Sequence, residues 1–237
     1  MKSYALKRLL PCLPWILCSI RFNLHYFPFR VALKLPVLLM RPRFVHLGGS
    51  IQLDGRVHTG MVRIGHSTTS LFPRERVRLD LNGTIIFKGD CQISSGSVIL
   101  TGKNSVLTFG NQVNLSDRST LICFHRVDLG DYFNMSWECT LCDNDFHSLK
   151  RTDTGEKTIP YAPIQIGPYC WMGQRSTLLK GVTLPAYTTV QAQALVTRRI
   201  HCPERSIIGG NPARVLSEGK YFRDFRDDKP RYVNPSL

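Results

Sequence analysis

The stretch CDNDFH at 142–147 sets one imidazole, His147, just behind two carboxylates, Asp145 and Asp143. These residue types are the parts of a general base. An imidazole, with a free pKa of about 6.5, accepts a proton without carrying a permanent charge, and a carboxylate bonded to it fixes its orientation. The same residues also describe a histidine in a surface loop after an acidic turn, where each aspartate caps backbone N–H groups. Residue types alone leave both readings open. Cys139 and Cys142 form C-x-x-C, but no second pair stands at metal-ligand spacing, and none of the seven histidines makes a close pair with His147. No metal is expected.

The elements that must position these residues follow an unusual period. Ile166, Met172, Leu178, Leu184, Val190 and Val196 recur every six residues. Helices place inward residues three and four apart, and half-buried strands two apart. The six-residue spacing also holds at Phe87, Ile93 and Ile99, and at Phe109, Leu115, Leu121 and Val127. After a two-residue shift it resumes at Leu129, Met135 and Leu141. Small or apolar residues such as Ser119, Cys139, Cys170, Ser176, Val182 and Ala194 stand four positions after several of them, with FGN, LGD, IGP and LPA as turns. This is the pattern of a short strand, a bend and another strand. Three units close a triangular coil, and stacked coils bury one another's apolar edges. A β-sandwich would alternate and turn every 8–12 residues instead. The expected fold is all-β, a parallel β-helix over 48–217, with SLKRTDTGEKTIPYAP at 148–163 leaving it as a polar loop. Residues 218–237 have lost the repeat and read as a short helix or tail.

Composition bounds the partners. Hydrophobic residues make up 43% of the 237 and charged residues 20%, so the chain folds around a core. A formal charge of +14 points to anionic partners. Nucleic acid is not expected, because no helix-turn-helix, aromatic RNA-binding motif or zinc finger accompanies the charge. The eight cysteines are scattered, which suits free thiols in a reducing cytoplasm better than a disulfide framework. Residues 1–47 form a basic, apolar, partly helical segment, with no acidic residue before Asp54. Its apolar runs are too short and proline-broken to span a bilayer, and no cleavage site follows them. One reading lays it on the inner membrane face; the other has it cap the core and pack within an oligomer.

The run PIQIGPYCWMGQRSTLLKGVTLP, with QAQALVTRRI and SIIGGNPARVL, resembles the C-terminal coils of the hexapeptide-repeat acyltransferases. It is most similar to their sugar and capsular polysaccharide O-acetyltransferase branch, which reads P-I-x-I-G-x-x-x-W-I-G, then G-V-x-I, A-G-S-V-V and G-N-P-A. CDNDFH resembles the motif that carries the catalytic histidine there, and Trp171 follows His147 by 24 positions, as in the galactoside and maltose acetyltransferases. The segment RFNLHYFPFRVALKLPVLL is similar to the start of capsule and exopolysaccharide acetyltransferases.

The resemblance implies a left-handed β-helix, against the hand that crossover statistics favour. It further implies a homotrimer with acetyl-CoA between subunits and a sugar or glycan acceptor. His147 would be the base for direct transfer to a hydroxyl, with Asp145 and Asp143 as candidates to orient it. Trp171 would wall the pantetheine arm, and the Gly173–Gln174 backbone would donate to the thioester oxygen. Ala192 and Gln193 stand where the branch has A-G, so the usual glycine is missing. Thr197, Arg198 and Arg199 match its adenine and phosphate end, with Asn211, Pro212 and Arg214 at the terminal turn. The loop 148–163 would recognise the acceptor. The competing readings are N-acetylation of an amino sugar, a metal hydratase on the same solenoid, and a non-enzymatic basic solenoid that binds nucleic acid or membrane.

Overall fold

In the computed structural model, residues 13–67, 69–197 and 200–224 are described. Short strands stack into three parallel sheets that form the walls of a prism. Among the described residues these walls hold nine, seven and six strands, and are called here the first, second and third faces. The chain visits them in turn, and strands of successive coils pair in register along each face.

The six-residue period is the step from one inward column to the next around the coil, as Ile166, Met172 and Leu178 lie on the third, first and second faces. On the first face Ile64, Ile93, Leu115, Met135, Met172, Val190 and Ile208 lie in register. Leu79, Ile99, Leu121, Leu141, Leu178 and Val196 make the column of the second. Leu53, Phe87, Phe109, Leu129, Ile166 and Leu184 make that of the third, where the rings of Phe87 and Phe109 stack at 4.9 Å. The two-residue shift after Val127 falls within one strand, Arg126–Leu129, which turns both Val127 and Leu129 inward.

The coils begin earlier than position 48. Val37–Leu39 already pairs with Val62–Ile64, and Pro42–Leu47 with Val77–Leu81. Pro36, Pro42, Arg43 and His46 obscure this first coil in the sequence, because most residues of Pro42–Leu47 face outward. Below it lie helix α1, Leu13–Tyr26, and the single turn α2, Phe29–Ala32. Helix α1 closes the open edge of the first strand with side chains: Asn23 Nδ2 donates to Val37 O at 2.7 Å, and Val37 N–H donates back to Asn23 Oδ1. Leu39 N–H donates to Ser19 Oγ at 2.9 Å, while Phe22 plugs the core. At the other end Ile207–Gly210 folds back on Ala213–Ser217 as an antiparallel pair. No helix follows among residues 218–224; the remainder of the expected C-terminal helix or tail, and residues 1–12 of the N-terminal segment, lie outside the described residues.

Candidate active site

The polar loop is an ordered arm. It leaves the prism after Thr140–Cys142 on the second face and returns at Ile164–Ile166 on the third. Its two sides bond to each other, Thr158 N–H to Leu149 O and Arg151 N–H to Glu156 O, both at 2.8 Å. Nearer the root, Asp145 N–H donates to Pro160 O, and Asn144 Oδ1 accepts from Phe146 N–H. His147 rides on this arm with its side chain exposed.

Neither aspartate is bonded to the imidazole in this structure. Asp143 is fully buried at the root of the arm. Its carboxylate accepts from the backbone N–H of Phe124 at 2.7 Å and from those of His125 and Arg126 at 2.8 Å each. A carboxylate at the corner of one coil thus pins the corner below, the capping alternative rather than the catalytic one. Asp145 forms an ion pair with Lys180 Nζ at 2.7 Å, and Lys180 also donates to Ile159 O. Lys180 therefore clamps both sides of the arm. It follows Leu179, which is in register with Cys142, so the stacking sets it above the arm's root. His125 and Phe124 support the arm from the coil below, through ring contacts with Tyr161 at 4.8 Å and Phe146 at 5.2 Å. Sequence reading missed Lys180, Phe124, His125 and Tyr161; coil-to-coil register is the signal that pairs them.

The C-x-x-C pair is structural. The buried Cys139 thiol donates to Gly173 O at 3.0 Å, whereas Cys142 bonds Asn144 O. Burial pushes both thiols above the ordinary range. Among the described residues no three His, Cys, Asp or Glu side chains gather as a metal site.

The expected cofactor residues gather across the second face from the arm. Trp171 is half-buried on the first face, its indole N–H donating to Ser136 Oγ at 2.9 Å and its ring 5.1 Å from the Arg223 guanidinium. At the corner joining first and second faces, the turn at 173–176 lies beneath the turn at 191–194, with Gln193 N–H donating to Gln174 O at 2.9 Å. Gly173 is fixed by this stacking, since a Cβ there would lie 2.5 Å from Ala192 N. Its N–H is spent on Val190 O at 2.7 Å, so it is not a donor to a bound thioester; the exposed Gln174 is the remaining half of that expectation. Gln193 occupies a left-handed conformation, φ +60°, like Arg175 one coil below at +58°, so the corner keeps its turn without the glycine of the A-G pattern. Arg175 is held by Glu138 at 2.7 Å, a bond that pulls the Glu138 carboxyl below its usual range. Higher up, Thr197 and Arg214 share a cleft of about 230 Å³ with Ile200, Pro212 and Ala213. Arg198 and Arg199 lie outside the described residues.

No family model matches the chain. Among curated proteins it is 31% identical over 114 residues to the Mycobacterium tuberculosis protein named probable acetyltransferase Rv3034c, a match that covers 46% of this chain but 36% of that relative's length. Among solved structures it is similar to the polySia-specific acetyltransferase NeuO, with a TM-score of 0.52 at 16% identity, over 79% of this chain and 91% of that one. The polysialic acid O-acetyltransferase OatWY matches at a TM-score of 0.43 and 20% identity, over 81% and 98%. The chain has the left-handed parallel β-helix fold of the hexapeptide-repeat acetyltransferases.

Proposed function

We propose that the chain transfers an acetyl group from acetyl-CoA to a hydroxyl of a sugar in a surface glycan. The observation that carries this reading is the placement of His147 on a braced arm at one edge of the second face. The stacked turns at 173–176 and 191–194 line the opposite edge of that face. The strand between, Thr177–Leu179, spans roughly 10 Å at about 3.3 Å per residue, a short gap to bring base and donor together. The NeuO fold supports a glycan acceptor.

His147 takes the proton of the acceptor hydroxyl as its oxygen attacks the thioester carbonyl. The tetrahedral oxyanion collapses, the C–S bond breaks, and the CoA thiolate leaves to receive a proton from the imidazolium. No acyl-enzyme intervenes. Acetyl-CoA lies along the stacked turns, with Trp171 beside the pantetheine arm and Thr197 and Arg214 near the phosphates. A second copy closes the groove in a homotrimer. An exposed imidazole that no protein carboxylate holds has to be oriented by the acceptor or by a neighbouring subunit.

The test is CoA-thiol release by purified protein with a panel of sugars, amino sugars and nucleotide sugars, with product mass spectrometry. Acceptor-dependent release should fall by about 10²–10⁴-fold in His147→Ala, the range general-base catalysis supplies, while acetyl-CoA binding by calorimetry is retained. Acetylated nitrogen in the product would select the amino-sugar reading. Absence of both thiol release and CoA binding would overturn the enzyme reading and leave a basic solenoid.

A further inference from the structure

Among the described residues, helix α1 is covered on one side only. That side, with Ser19, Phe22 and Asn23, is buried against the first coil. The other presents Ile16, Ile20 and Leu24 at four-residue spacing with Leu17 beside them, and it is exposed: Leu17 by 54% and Leu24 by 49%. The helix cannot rotate to hide these residues, because Asn23 and Ser19 are bonded to Val37 and Leu39, and Tyr26 donates to Gly48 O. Beyond it Phe29 and Leu33 are exposed by 66% and 65%. Scattered exposed leucines need no explanation, but a contiguous apolar set on the outer side of a helix does.

Charge indicates what covers this surface. Arg21, Arg30 and Lys34 are exposed among these residues, and no acidic side chain occurs before Asp54. A protein partner would need a matching acidic rim, whereas an anionic bilayer supplies apolar depth and negative charge together. No described helix is long and apolar enough to cross a membrane, so α1 would lie along the surface. We propose that this end of the solenoid docks on an anionic lipid bilayer, with Ile16, Leu17, Ile20, Leu24, Phe29 and Leu33 in the interface and Arg21, Arg30 and Lys34 against the headgroups. This inference is independent of the acetyl-transfer reading.

Full-length protein is sedimented with vesicles of phosphatidylcholine alone or with a third phosphatidylserine. Binding should require the anionic lipid. Each basic residue at such a surface strengthens binding about fivefold, so Arg21→Gln/Arg30→Gln/Lys34→Gln should weaken it on the order of 100-fold. The same charge change at the exposed Arg74, Arg76 and Arg78 should have a much smaller effect. Ile16→Ser/Leu17→Ser/Ile20→Ser/Leu24→Ser should abolish binding without altering molecular mass by light scattering. Absence of vesicle binding, equal losses in both sets of basic residues, or a drop in oligomeric mass in the serine variant would each overturn the proposal. The last would make the face a contact between copies. The charge variants touch only exposed side chains, so the test stands even if the serine variant misfolds, and the calorimetric CoA assay fails or succeeds separately.

Discussion

Asp143 and His147 stand four positions apart, yet burial gives them opposite work. A carboxylate withdrawn from water is stable only when its lone pairs are occupied, and three backbone donors at Phe124, His125 and Arg126 occupy those of Asp143. Asp143→Ala should therefore lower stability by about 3 kcal/mol, since each stranded donor carries a desolvation penalty. At a temperature where the variant is folded, the pH profile of turnover should match that of the wild type. A denaturant titration and a pH–rate series check the two halves. A shifted pH profile with unchanged stability would instead make Asp143 the group that orients the base. Lys180 is a lesser brace: its pair with Asp145 is partly exposed, and such pairs contribute about 1 kcal/mol or less.

The turns that join strands are where residue choice is dictated by close approach. Strand spacing of about 4.8 Å leaves no room for a side chain between stacked corners, and Gly173 lies directly under Ala192. The obstructing atoms are backbone, namely Ala192 N, Gln191 C and Val190 O, so no rotamer can relieve the clash. Gly173→Ala should cost about 1–3 kcal/mol, the range for overpacking, and should weaken acetyl-CoA binding if the stacked turns line its groove. Thermal melts and calorimetry on the same variant separate the effects; an unchanged melt would contradict the stacking argument. Elements of this kind are partly legible from sequence. Six-spaced aliphatics announce the three inward columns, because six residues carry the chain from one face of the prism to the next. Corner lengths are less legible, since a corner such as 124–126 adds residues without changing the period that follows. The arm's support is not legible at all: Phe124 with Phe146, His125 with Tyr161 and Lys180 with Asp145 meet only through the stacking of coils. Ser19 and Asn23 are likewise silent, two small polar residues in an apolar run whose purpose shows only when an open strand lies against them.

A solenoid grows by adding coils and must still end. Each coil contacts only its neighbours, so stability is approximately a sum of local terms, and an open final strand would offer unpaired N–H and C=O groups to other chains. The two ends solve this differently. The C-terminal end reverses direction, pairing Ile207–Gly210 with Ala213–Ser217. At the N-terminal end a helix supplies an amide and a hydroxyl in place of a strand. Asn23→Leu fills a similar volume but leaves Val37 N–H and C=O buried without partners, at a cost of about 2–4 kcal/mol for the two. In a one-dimensional array that loss need not spread. Hydrogen exchange should quicken first at Val37–Leu39 and Val62–Ile64, while amides on Met172 and Val190, four and five coils further on, keep their protection. The same variant should self-associate more readily through the exposed edge. Uniform loss of protection along the whole prism would mean that the coils open as one cooperative unit, and that the helix supports the entire solenoid rather than its first turn.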